Sequence, residues 1–595
     1  MSHTHVPPSP PTTALDRRLL LASAGLGALA SVALPGVAQA QGSTASLAPS
    51  VPAASNTAPS FEEAFRARAL EVRTAASRAN AARAVLAKPD NGDEARFANA
   101  IGSDTRGLPH DARGEVDPAA WRIFREALAS GDPAAFEAVP LGGVRKFLNP
   151  TGSLAVSLVG LTPTQFAIPP AHRLDSAELA AEAVEVWWQS LLRDVPLSEF
   201  RDDTSNPEIL AAADELDRLP SFTGSRVNGR VTPSSLFRAN ALYVDPSDPS
   251  GRTRRYVTIP GVLDGPVVSQ FLLRDAPWGA QSIPAKIRSY AQTSNFHLNY
   301  DEWLAIQNGA APRNPVVADA NLRYITTGRD LAAYAHFLPA SYQLAAQLAL
   351  TGANAATPAF GGLYPASQPP LAASNPYLRS RTQTGGGSTF GQPWIQGAIG
   401  QAVSLAIRTA YYQKFWVHRS LRPEAYGGLA HHRLANGAAG YPLHESFLGS
   451  KALEKAKERY GSHLLSQVYP EGAPLHASYP GGATIIGAVQ VTLLKAFLDT
   501  DRPFPGPVEP DPADPARLVP WRGPALTLGG ELNKLAVNYG TGRNWAGIHW
   551  RSDLAASLAL GEEVAIAILR DETATFREAF EGFRFTRFDG TEVTV

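Results

Sequence analysis

An arginine, a histidine and an aspartate stand at spacings able to build an oxyanion site in R-N-W-A-G-I-H-W-R-S-D, residues 543–553. His549 and Asp553 lie four apart, so a helix puts them on one face. There Asp553 can accept a hydrogen bond from one ring nitrogen and aim the other at a ligand. Arg543, on the loop side, offers a planar fork to two oxygens of a tetrahedral anion. The same three residues also fit a surface ion pair beside a core histidine, and alone they decide nothing. A second cluster stands upstream in K-F-W-V-H-R-S-L-R-P-E-A-Y-G-G, residues 414–428. Lys414, His418 and Arg422 follow at i, i+4 steps, and Pro423 breaks the helix after them. Such a cationic stripe repels itself unless an anion lies within it. A solvated basic face is the alternative, against which Phe415, Trp416, Val417 and Leu421 argue for partial burial.

Together, K-x7-R-P-E-A-x-G-G and G-R-N-x-A-G-x-H-x-x-S-D resemble motifs of the vanadium-dependent haloperoxidases, in their bromoperoxidase-like branch. That branch belongs to the type 2 phosphatidic-acid phosphatase superfamily. The likeness runs from about residue 61 to the C-terminus and includes D-N-G-D-E around Asn91, G-L-P-H-D around His110 and G-E-V-D-P-A-A at Gly114. It implies long helices in four-helix-bundle packing around one vanadate, a site that phosphate can also occupy. In the family a lysine, two arginines and a Ser-Gly-His segment hold the vanadate oxygens, and a further histidine bonds the metal. Carried over, these are Lys414, Arg422, Arg543 and, on the metal, His549. The implied reaction oxidises halide, bromide above all, with hydrogen peroxide and passes the halogen to an organic acceptor. Family members are often homo-oligomers, which is the one warrant for expecting an oligomer here.

The sequence departs from the family between the two clusters. His476 to Thr484 reads H-A-S-Y-P-G-G-A-T where the family has T-H-P-x-Y-P-S-G-H-A-T. Tyr479-Pro480 and Ala483-Thr484 match on both sides, but Ser-Gly-His is reduced to Gly481-Gly482. The serine hydroxyl and the acid/base histidine are both missing, and the loss of a positioned acid/base removes a factor of about 10²–10⁴ in rate. Anion binding suffers less, because Gly481 and Gly482 open a helix whose free N–H groups favour an oxyanion. Two glycines making a tight turn with nothing to bind is the alternative. His476 matches the family's upstream histidine and is the one stand-in for the lost acid/base. Glu424 reads as a structural ion-pair partner. Tyr411 can line the pocket or the core. His431, His432, His444 and His463 read as surface residues. The expectation is thus a haloperoxidase-like enzyme with impaired turnover. An acid phosphatase with His549 as nucleophile and a non-catalytic oxyanion-binding protein are its rivals.

The elements that must position these residues read as all-α. Amphipathic spacing predicts helices over 61–87, 176–192, 331–350, 395–421, 484–498 and 554–569, with Asp175 or Ser176 capping the second. Gly/Pro-rich connections separate them, and 352–393 excludes regular elements. A short strand pair is expected near 255–259. The organisation expected is a signal peptide at 1–40, a flexible linker at 41–60, an N-terminal helical region at 61–390 and a C-terminal site region at 391–595. Arg17-Arg18, a short apolar run and Ala38-Gln39-Ala40 suggest twin-arginine export to the periplasm or medium, with an ordinary Sec signal as the alternative. The run is short of the roughly 20 residues of a membrane span, so no span is expected in the mature form. A formal net charge of -1 gives no case for nucleic acid, and the absence of cysteine excludes thiol catalysis and disulfides.

Overall fold

Gly482–Phe497 is the helix that carries the shortened glycine pair, and it is buried on nearly every side. Its sequence is apolar all round, as expected of a helix enclosed by neighbours rather than lying on a surface. Gln392–Tyr412, Leu528–Trp545 and Arg551–Thr573 pack around it. Small residues allow the close crossings. A Cβ added at Gly540 would lie 2.4 Å from Thr484 Oγ1 and 2.6 Å from Leu554 Cδ1, and one at Gly561 would meet Ala488 Cβ at 2.6 Å. A side chain at either position forces the helices apart.

Two further helices fix the ends of this bundle. Ser176, the second of the two expected caps, accepts the N–H of Leu179 and opens Ala177–Leu192. That helix presents Glu185 to Arg551 at 2.8 Å and Glu182 to the backbone and hydroxyl of Ser552, which anchors the start of Arg551–Thr573. Gly328–His336 packs along Leu528–Trp545.

The structure is a computed structural model describing residues 59–97, 99–337, 341–352 and 361–595. The expected signal peptide and the linker, its last two residues apart, lie outside the described residues. Ala67–Val595 forms one compact unit; of the other, Met1–Arg66, only 59–66 are described. Among the described residues no helix is long and apolar enough to cross a membrane.

The chain is mainly helical, but all-α needs correcting. Among the described residues five two-stranded antiparallel sheets decorate the bundle, including Asn240–Val244 paired with Arg254–Thr258, the pair expected near 255–259. The predicted 61–87 helix stops at Ala81. The predicted 331–350 helix is two, Gly328–His336 and Ser341–Leu350, with Pro339 standing between them in the sequence. Among the described residues of the predicted irregular stretch 352–393, Pro376–Leu378 forms a 3₁₀ turn and the Gln392–Tyr412 helix already begins.

Candidate active site

Lys414 and Arg422 reach the centre by a reversal of the chain. After Tyr412 the helix widens into a π turn, Gln413–His418, and Arg419 then takes φ 41°. Pro423 excludes helical backbone at Arg422, which is extended at φ -87°, ψ 154° and caps Pro423–Ala435. The three cationic positions therefore do not share the helical stripe their spacing predicted. His418, the middle one, packs edge-on against Tyr479 at 4.9 Å, and neither of its ring nitrogens has a partner. Burial pushes its pKa down to about 3, so it stays neutral.

Lys414, Arg422, His476, His549 and Asp553 converge, all buried. Lys414 Nζ donates to the carbonyls of Ala477 and Ser478 at 2.6 and 2.8 Å. Arg422 donates to the carbonyl of Ile548 at 2.7 Å, to His549 Nε2 at 2.9 Å and to His476 Nδ1 at 3.0 Å. His549 Nδ1–H faces Asp553 Oδ2 at 2.7 Å, which leaves the Nε2 lone pair toward Arg422. The i, i+4 spacing works by a different geometry from the one it predicted. His549 precedes the Arg551–Thr573 helix, and Asp553 reaches back from its first turn to cap the N–H of Trp550 at 2.8 Å.

The shortened segment is stitched to the same helix. Gly481 N–H donates to the Asp553 carbonyl at 3.0 Å, Ser557 Oγ donates to the Gly481 carbonyl at 3.0 Å, and Ser478 Oγ donates to Asp553 Oδ2 at 2.5 Å. Gly482 begins the Gly482–Phe497 helix, and a Cβ added there would lie 3.9 Å from Lys414 Cε. The first-turn amides of this helix, which no preceding turn can satisfy, thus start beside Lys414. No side chain from 481–482 enters the centre.

Neither Lys414 nor Arg422 has a carboxylate among its hydrogen-bond partners. Burial and then Arg422 hold the Lys414 ammonium well below its usual range. Burial, then Arg106, brings Arg422 down to about 9. The imidazoles of His549 and His476 are kept neutral by burial and by these same two cations. Burial pushes Asp553 up to about 6 against the pull of Ser478, Lys414 and Trp550. An anion among the cations offsets the lowered values of Lys414 and Arg422, while it adds to the upward push on Asp553.

Arg543 stands apart from the direct contacts. It lies in the last turn of Leu528–Trp545, not on a loop as the sequence suggested, because Gly542 packs that turn closely against Leu331 and Ala335. Its guanidinium sits 5.5 Å from the centre of the Tyr469 ring and donates to the His336 carbonyl at 3.3 Å, while Nε has no partner. Its charge still weighs on His549. Tyr411 stands 5.3 Å from the His476 ring, and burial raises its hydroxyl pKa. His431 and His432 lie on the Pro423–Ala435 helix; His432 is buried and bonded to Tyr300 Oη at 2.8 Å, which corrects its reading as a surface residue.

Two contributions escaped the sequence reading. Arg106 is buried between Asp104 at 2.6 Å and Glu424 at 2.7 Å and donates to the His476 carbonyl at 2.9 Å, so it fixes the loop that carries His476. Glu424 is thus the ion-pair partner expected, but its pairing with Arg106 spans 318 residues and has no local signature. Ser478 sits inside the recognised motif, at the one position the motif leaves free.

Buried cations around a histidine lone pair, inside a helical bundle, make a cradle able to take up an oxyanion. Residues 446–578 match the family described as the VCPO second helical-bundle domain. A vanadium-dependent bromoperoxidase of Ascophyllum nodosum is 33% identical over 508 residues, covering 82% of this chain and 85% of that protein. One from Corallina officinalis is 28% identical over 624 residues, covering 89% and 98%. The solved homohexameric structure of the second vanadate-dependent bromoperoxidase from Ascophyllum nodosum superposes with a TM-score of 0.78 at 28% identity, over 92% of this chain and 93% of that one. The chain belongs to the vanadium-dependent bromoperoxidase family.

Proposed function

We propose that this chain binds vanadate at Lys414, Arg422, Arg543 and His549 and oxidises bromide with hydrogen peroxide at reduced turnover. The observation that carries the reading is His549: Asp553 holds Nδ1–H, and the Nε2 lone pair opens among buried cations that lack a carboxylate. The donor set suits the group. Cations, the unpartnered Nε–H of Arg543 and first-turn amides take oxygens, and one neutral ring nitrogen takes the metal. Bound vanadate supplies Lewis-acid polarisation of peroxide without redox change. Lys414 and Arg422 offset negative charge on the oxygens, Asp553 fixes the tautomer of His549, and burial excludes bulk water. The overall reaction joins halide, hydrogen peroxide and a proton into hypohalous acid and water. Gly481 and Gly482 offer no group to move that proton, and His476 Nδ1 is already engaged with Arg422 and the Ala477 carbonyl, each at 3.0 Å. The proton therefore comes through His476 Nε2 or water, and turnover is slow.

Purified protein incubated with orthovanadate, then assayed for bound vanadium, peroxide-dependent bromination and phosphatase activity, tests this. Bound vanadium with weak bromination supports it. Bound vanadium with neither activity leaves an oxyanion-binding protein, and phosphatase activity alone leaves the phosphatase. We further propose twin-arginine export, on Arg17-Arg18 and the A-x-A site. Unchanged delivery to the periplasm after replacing both arginines by Lys would overturn it. The homohexameric relative supports expecting an oligomer.

A further inference from the structure

We infer that the cavity behind the hairpin of Val508–Asp511 and Asp514–Pro520 is a second ligand site, which takes a small organic anion with an aromatic or apolar body. It is separate from the centre, since none of Lys414, Arg422, Arg543, His549 and Asp553 lines it. Its volume is about 450 Å³, in the range of pockets that enclose a small organic molecule. The inference does not depend on the vanadate reading. Much of the lining is apolar and buried, made by Leu197, Phe200, Val268 and Ile325, and Trp521 adds an aromatic face. The hairpin wall is fixed to the body. Gln270 and Val508 exchange two hydrogen bonds at 2.7 Å, and Tyr324 N–H donates to the Pro515 carbonyl at 2.9 Å. With the walls already in place, little ordering accompanies binding.

One charge in the lining lacks a counter-ion. Arg238 is buried, and its hydrogen bonds go to the carbonyls of Val262, Gly265 and Pro266 at 3.0, 2.7 and 3.4 Å. A guanidinium has five N–H donors, so some stay unspent, Nε–H among them. Burial brings its pKa down to about 10, which leaves it charged at neutral pH. Of the two acids that pull it back up, Glu531 is paired with Lys534 at 2.5 Å and Asp264 is exposed. The other ionic groups around the cavity are matched or wet. Arg201 pairs with Glu509 at 2.5 Å, Asp194 with Arg329 at 2.6 Å and Arg323 with Asp330 at 2.9 Å. Asp202 is exposed and accepts the Ser234 N–H at 3.0 Å, and Asp511 accepts the Ala513 N–H at 2.9 Å. A charge between low-dielectric walls acts more strongly than charges that water screens at a rim. The anionic head of a ligand therefore goes to Arg238, and its body lies on the apolar lining.

Calorimetry on the purified protein with 2-naphthoate, in excess phosphate so that oxyanion binding at the centre does not contribute, tests this. Naphthoate should bind the wild type, and 2-naphthalenemethanol, the same ring without the charge, about 10- to 100-fold more weakly. Arg238→Gln should weaken naphthoate by about the same factor and leave the alcohol unchanged. Ser198→Trp, which fills the cavity from its lining, should abolish binding of both. The comparison of the two ligands needs no variant, so it decides the point even where a variant folds poorly. No heat from naphthoate with the wild type would overturn the inference. So would equal affinity for the two ligands, or naphthoate binding that survives Ser198→Trp in a folded variant.

Discussion

On one wall of the site Lys414, Arg422, His549 and Asp553 are buried and hydrogen-bonded to fixed partners, while on the adjoining wall Gly481 and Gly482 present backbone alone. The first wall is built by long-range tertiary ties: Arg106 to Glu424, Glu185 to Arg551, Ser478 to Asp553. The second depends on a few consecutive residues at a helix start. Holding an oxyanion needs cations and N–H donors, which the first wall and the helix start supply. Moving a proton quickly needs a titratable side chain on the second wall, and Gly481 and Gly482 supply none. On the proposed reading, binding and turnover are thus separable in this chain.

The sharpest way to break that contrast is to restore the second wall. Replacing Gly481-Gly482 by Ser-Gly-His should raise peroxide-dependent bromide oxidation by about 10²-fold or more in a kcat measurement. The space beside Lys414 Cε at Gly482 admits a side chain, whereas Gly481 is tighter, with Thr484 Oγ1 at 3.2 Å. No gain with vanadate still bound would locate the defect elsewhere. Stripping the first wall should cost binding instead. Arg422→Ala removes a charged hydrogen-bonding group worth about 1.5–3 kcal/mol, so the orthovanadate Kd should rise about 10- to 100-fold by calorimetry. An unchanged Kd would mean that the anion does not sit there.

Orthovanadate or phosphate at about a hundred times its Kd should stabilise the wild type by about 2.7 kcal/mol in thermal unfolding, and His549→Ala should lose most of that vanadate effect. The smallest effect separates the site from its frame. His418 stays neutral in the folded state down to about 3, against 6.5 for a free histidine. Stability from this residue is full above the free value and falls as pH drops through the window between the two. At about pH 5 the loss is roughly 2 kcal/mol, and His418→Phe should flatten that part of the melting-temperature profile, with or without oxyanion present. An unchanged profile would show that His418 takes up no part of the acid sensitivity.

Much of this was legible in the sequence. Apolar periodicity gave the Ala177–Leu192 and Gly482–Phe497 helices nearly to the residue, because both are continuous and uninterrupted by proline. Residue types and motif order named Lys414, Arg422, His549 and Asp553, and the missing segment is a matter of counting along one chain. The route by which they meet was not legible. Lys414 and Arg422 look like one helical stripe until the π turn and Arg419 at φ 41° reverse the chain. Arg543 reads as a loop residue until burial carries its helix through Trp545. Hydrogen bonds to Asp553 come from residues three and four positions away in sequence, and from the distant Gly481 and Ser478, the latter 75 positions off. Local spacing reports on bonds that close within a turn or two of helix. Which distant groups share one buried oxygen is decided by packing, since only the folded interior removes the water that would otherwise satisfy each of them.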